Sequence, residues 1–197
     1  MTATSVSLLE RLRSPAGVEA PEAWRRLVTL YGPLIRYWLR QNAALAPDAD
    51  DLVQEVLTVL VRRIGEFQHN GRRGAFRVWL RTTTRQCASD FYATRRNRPL
   101  ATGGASVQEA LGELASVDSP LSQIWEREHD LWVARRLIEM LRHEFEERTW
   151  RAFEGVALQG RPAAEVAAEL GVTTNAVAIA KSRVLRRLHE EAAGLID

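Results

Sequence analysis

Apolar residues recur every three to four positions along almost the whole chain, and no stretch alternates with conviction, so the pattern predicts helices throughout. The first clear helix spans residues 21–42, with Trp24, Leu27, Val28, Tyr31, Leu34, Ile35 and Trp38 on one face. Gly32-Pro33 interrupts it and predicts a kink or break. A second helix follows Pro47, with Asp48 as the expected N-cap and Asp50 and Asp51 favoured by the positive end of the helix dipole. Its apolar stripe is Val53, Val56, Leu57, Leu60 and Ile64, and its opposite face is Asp51, Gln54, Glu55, Thr58 and Arg62. Residues 65–75 hold three glycines and read as a loop. A third helix covers residues 75–96, with Phe76, Trp79, Leu80, Thr83, Cys87 and Phe91 toward the core. Its other face is basic, with small residues at its centre and one aromatic, Tyr92.

Residues 97–119, with Pro99, Gly103-Gly104 and several Ser, Thr and Ala, read as a flexible linker with at most a short helical turn near 107–114. About 20 residues of such a linker could span roughly 65 Å when extended, at about 3.3 Å per residue, enough to let two halves work at separate sites. Ser119-Pro120 has the form of an N-cap and first helical position, opening a helix over residues 120–143. Helices over 146–158, 162–170 and 173–191 complete the chain. The pattern thus predicts an all-α protein of two small helical domains. An N-terminal extension (1–20) precedes the first domain (21–98); the linker (99–119) leads to the second (120–192).

Composition narrows the functional classes. The chain has 197 residues, 46% hydrophobic and 26% charged, which suits folded domains and argues against wholesale disorder. No apolar run approaches the roughly 20 residues of a membrane helix, the N-terminal residues lack the apolar core of a secretory signal, and membrane insertion is not expected. A single cysteine excludes an intrachain disulfide framework and fits a reducing cytoplasm. Net charge is only +2, but residues 62–98 carry 10 basic and 2 acidic groups while residues 99–160 carry 6 and 11. A basic block of that size predicts a polyanionic partner. Enzyme chemistry finds no support. Asp48, Asp50, Asp51 and Glu55 face no second carboxylate cluster, His143-Glu144 lacks the second histidine of a zinc-protease helix, and Gly103-Gly104 lacks a following Lys-Ser/Thr. No cofactor is expected.

The sharpest local motif is residues 163–180, AAEVAAELGVTTNAVAIA. Ala167 is small where two helices would cross, Gly171 suits a turn at positive φ, and Val166, Leu170, Val172, Val177 and Ala180 would pin the pair. This is the pattern of a helix-turn-helix, which leaves Lys181, Ser182, Arg183 and Arg186 free for phosphates or base edges.

Two further segments combine with it. DADDLVQEVLTVL (48–60) resembles the signature of region two in bacterial sigma factors, and GAFRVWLRTTTRQCASDFYATRRNRP (74–99) resembles the helix that follows it there. The C-terminal helix pair is similar to sigma region four. Their order and spacing resemble the extracytoplasmic-function (ECF) class over about residues 7–192. The resemblance implies a non-enzymatic factor that binds core RNA polymerase and directs it to promoters. Asp51, Gln54 and Glu55 would face polymerase. His69, Asn70 and Arg73 in the loop, with Arg77, Arg81, Arg85, Ser89, Tyr92, Arg95 and Arg96, would hold single-stranded −10 DNA. Arg161, Thr173, Thr174, Asn175, Ala178, Lys181, Ser182, Arg183 and Arg186 would meet the duplex −35 element. Ala178 departs from the basic residue many members carry, so the contact register of the last helix is open. The resemblance also implies a monomer when free, and allows an anti-sigma protein as a further partner. The competing reading of the same residues is a stand-alone helix-turn-helix regulator that binds duplex DNA without polymerase.

Overall fold

The computed structural model describes residues 7–13, 20–68, 74–96, 104–116 and 118–196. The regular elements among them are helices: α1 (Leu8–Arg13), α2 (Ala20–Arg40), α3 (Ala49–Arg63), α4 (Ala75–Arg96), α5 (Gly104–Ala115), α6 (Pro120–Leu141), α7 (Glu147–Phe153), α8 (Ala163–Leu170) and α9 (Thr174–Ala192). They form two compact units, one of residues 7–133 with 194–196, the other of residues 134–193. The all-α architecture expected from periodicity is what the chain adopts.

In the N-terminal unit, α2 buries Leu27, Leu30, Tyr31, Leu34, Ile35, Trp38 and Leu39. It runs through Gly32-Pro33 without the expected break. Tyr31, Leu34 and Ile35 on both sides of the proline are buried, so packing of the apolar stripe outweighs the one donor that Pro33 removes. Helix α3 is entered through a 3-10 turn, Ala46–Asp48, and buries Ala49, Leu52, Val53, Val56 and Leu60. Asp48 occupies the N-cap position, but its side chain makes no capping hydrogen bond. Its carboxylate instead accepts from the Tyr92 hydroxyl at 2.9 Å, tying the start of α3 to α4. Rings from α2, the segment after α3, and α4 join the helices: Phe76 lies 5.3 Å from Tyr31, 5.4 Å from Phe67 and 5.6 Å from Trp79.

The region expected as a linker differs most. It contains α5, a 12-residue helix that buries Ala110 and Leu114 and packs on α4. Asn42 donates to Glu113 at 3.0 Å, linking the end of α2 to α5. The short helical turn expected near 107–114 lies within this longer helix. The expected domain boundary before residue 120 also differs from the division seen, which falls inside α6 between Val133 and Ala134. Ser119 caps α6 as expected, its hydroxyl accepting from the Ser122 N–H at 3.1 Å. The first half of α6 belongs to the N-terminal core: Leu121, Trp125 and His129 are buried. The Trp38 indole donates to the Leu121 carbonyl at 2.8 Å, and the Trp132 indole to the Leu30 carbonyl at 3.0 Å. The Trp38 and Trp125 rings pack in a tilted arrangement with their centroids 4.8 Å apart. Helical periodicity marks such residues as buried without saying which core takes them.

In the C-terminal unit, α7, α8 and α9 pack around Ala152, Val166, Ala167, Val177 and Ala180, and a second cluster gathers Trp150, Phe153 and Val184. The end of α7 passes into a π-helical turn, Glu154–Leu158. Gly155 lies against Val166 there, where an added Cβ would come within 2.9 Å of the valine Cγ2.

Candidate protein and nucleic-acid interfaces

The outer side of α3 is built by its own period. While Leu52, Val53, Val56 and Leu60 point inward, Asp51, Gln54 and Glu55 are all exposed. Asp50, beside them, is held by Arg36 and Arg40 of α2. The hydrogen bond from Arg36 keeps the Asp50 carboxyl below the usual range. Thr58 turns its hydroxyl back to the Gln54 carbonyl at 2.8 Å. The face is therefore acidic and polar, on a rigid helix whose other side is core, which is what a charged partner surface needs.

Helix α4 is covered more widely than its sequence predicts. Thr84 and Ala88, placed by periodicity at the centre of an open basic face, are buried together with Phe76, Leu80, Thr83 and Cys87. Burial pushes the Cys87 thiol up to about 11, with Asp90 and Glu55 adding to the effect, so the thiol is inert at neutral pH. Arg77 and Arg81 do not stand open on α4 as its periodicity predicts, but are covered by α6. Arg77 Nε lies 2.7 Å from Glu126 and its Nη1 2.9 Å from Asp130, both on α6. Arg81 is buried, with Nη1 3.9 Å from Glu126. Tyr92 is half-buried, its hydroxyl directed at Asp48. Periodicity on α4 shows its two faces, but not that α6 supplies carboxylates to Arg77 and Arg81 or that Asp48, before α3, takes the Tyr92 hydroxyl.

Ser89 is exposed and Arg85 half-buried, so these two keep an outward position on α4. Thr82 and Gln86, which the sequence did not single out, share the exposed side. Arg95 and Arg96 fall in the last turn of α4, and their side chains lie outside the described residues. His69, Asn70 and Arg73 also lie outside them.

In the C-terminal unit, α8 and α9 follow each other across a short turn. Gly171 ends α8 at φ +63°, and its N–H reaches the Ala167 and Ala168 carbonyls. That left-handed position favours glycine. Thr173 caps α9, its hydroxyl accepting from the Ala176 N–H at 3.1 Å. Thr174, Asn175, Ala178, Ser182, Arg183 and Arg186 are exposed, and Lys181 is half-buried. They share the side of α9 opposite Val177, Ala180 and Val184, which are buried. Arg161 is engaged within the unit, where it and Arg151 both grip Glu169, at 2.8 and 2.6 Å. These hydrogen bonds, Arg161 first, hold the Glu169 carboxyl below its usual range. The bridge ties the end of α8 to the segments before it and fixes the outer edge of the helix pair.

Residues 27–98 match the family model for Sigma-70 region 2. The match begins in α2 at Leu27, takes in all of α3 and α4, and ends two residues beyond α4. The chain therefore carries a sigma region 2 domain, and the exposed acidic side of α3 and the partly covered α4 both lie within it. No curated protein matches the chain. Among the described residues no helix is long and apolar enough to cross a membrane.

Proposed function

We propose that this protein is a sigma factor of the ECF type, which binds core RNA polymerase, brings it to a promoter and stabilises the melted −10 element. The observation that carries the reading is the region 2 match over residues 27–98, because it falls on the helix that presents Asp51, Gln54 and Glu55 outward. In this reading those three side chains dock on polymerase. Arg85 and Ser89, with the loop residues His69, Asn70 and Arg73, meet the unpaired −10 strand. Thr173, Thr174, Asn175, Ala178, Lys181, Ser182, Arg183 and Arg186 read duplex −35 DNA in the major groove, as a capped, exposed second helix of such a pair is suited to do. The factor works by binding alone, as a cytoplasmic monomer, and melting is driven by exchanging base pairing and stacking, a few kcal/mol per base, for contacts with splayed bases. An anti-sigma protein would compete for the same faces.

In vitro transcription tests this reading. Core polymerase with the purified protein, supplied with fragments of the source genome, should give transcripts of discrete start sites that core enzyme alone does not give. Discrete, polymerase-independent binding to duplex fragments without any such transcripts would favour a stand-alone regulator instead.

A further inference from the structure

The two arginines covered by α6 are paired in register. Arg77 and Arg81 stand one turn apart on α4, and Glu126 and Asp130 stand one turn apart on α6. One guanidinium meets both carboxylates and the other meets Glu126 alone, at a longer 3.9 Å. The cations are well hidden, at 17% and 9% side-chain exposure, whereas Glu126 and Asp130 are 33% and 46% exposed. The pairing is also incomplete. Arg77 Nε and Arg81 Nη1 are buried without a hydrogen bond, although carboxylate oxygens lie near. Charge is neutralised while donors stay unused, an arrangement that favours exchange for a better acceptor.

We propose that the Glu126–Asp130 edge of α6 is an electrostatic gate on α4, occupying the arginine pair that would otherwise hold the backbone phosphates of single-stranded DNA. The inference rests on α4 being the DNA-facing helix of the proposed function. The core of the unit need not open. Trp125, Leu121 and His129 keep α6 in place, and only the half-exposed carboxylates and two long guanidinium arms exchange partners at the rim. The gate sets how strongly the free protein holds single strands. A single strand whose phosphates offer better acceptors to the two guanidinium groups would open it.

The test compares the full-length wild type with Glu126→Gln/Asp130→Asn, titrated into a fluorescein-labelled single-stranded oligodeoxynucleotide of mixed sequence across a salt series. The gate predicts several-fold tighter binding by the variant at low salt. Its plot of log affinity against log salt should steepen by about 0.7 for each arginine released. Wild-type binding with an unchanged affinity and slope in a folded variant overturns the gate and leaves the DNA assignment of α4 standing. Absence of binding by both proteins at low salt overturns that assignment, and the gate with it. Should the variant fail to fold, carbodiimide labelling of the wild type decides: labelling of Glu126 and Asp130 that rises when the oligonucleotide binds supports the gate, and labelling that does not rise overturns it.

Discussion

His129 is wholly buried, with Tyr31 Oη 3.4 Å from its Nε2 and Asp130 Oδ1 2.8 Å from its Nδ1. The groups facing it are Tyr31 from α2, Arg77 from α4, and Trp125 and Asp130 from its own helix. Burial outweighs the neighbouring carboxylate and pushes the imidazole down to about 4, so the native protein holds it neutral. An unfolded chain protonates the same ring near 6.5. Between these values the unfolded state binds the additional proton, so stability is complete above about pH 6.5 and is lost as pH falls toward about 4. The full effect is on the order of 3 kcal/mol, from 1.36 kcal/mol per pH unit. Thermal unfolding followed from pH 7.5 to about 4.5 should show a falling midpoint, and His129→Asn should flatten much of that fall. A wild-type profile as flat as the variant's would contradict the buried neutral assignment. Nothing in the sequence set this histidine apart, because its environment comes from three helices far apart in the chain.

At the scale of elements, contacts made within a helix or across one turn were legible, and those supplied by a distant helix were not. Ser119, Gly171 and the small Ala167 could be placed from local chemistry, since a cap or a left-handed turn depends on a few neighbouring residues. Asp48 shows the limit of that logic: its position was local, but its partner Tyr92 lies 44 residues away. The packing of α5 on α4, and the carboxylates over Arg77 and Arg81, depend on distant residues in the same way. The π-helical turn before α8 was equally unannounced, and it carries its own prediction. Gly155→Ala sets a methyl group against buried Val166, with no positive φ involved, and should destabilise the C-terminal unit by about 1–3 kcal/mol in chemical denaturation. A loss below about 0.5 kcal/mol would show that Val166 yields freely.

The exposed side of α9 divides by chemistry. Asn175 in its first turn is suited to a base edge and Arg183 to phosphate. Once a −35 sequence is known, Asn175→Ala should relax preference at one base pair, worth about 1–3 kcal/mol. Arg183→Ala should weaken binding to all sequences and lower the salt slope by about 1. Equal loss of preference from both changes in a binding-site selection would contradict this division.

At the scale of the whole molecule, charge is sorted along the chain, and the folded units preserve only part of that sorting. The sequence places a net +8 on residues 62–98, yet Arg77 and Arg81 within that block are balanced by the acidic segment that follows it. The acidic side of α3 stands apart, exposed on a helix with a packed inner face, and it is there that the family match and the geometry coincide. The central claim, that this face docks on RNA polymerase, is tested most directly by gel filtration of the purified protein with bacterial core enzyme, wild type beside Glu55→Lys. Glu55 is exposed, so the charge reversal should leave the circular dichroism spectrum and unfolding midpoint within error of wild type. The account predicts that the wild type co-elutes with core enzyme and the variant does not. A folded wild type that fails to co-elute, or a variant that co-elutes equally well, would contradict it.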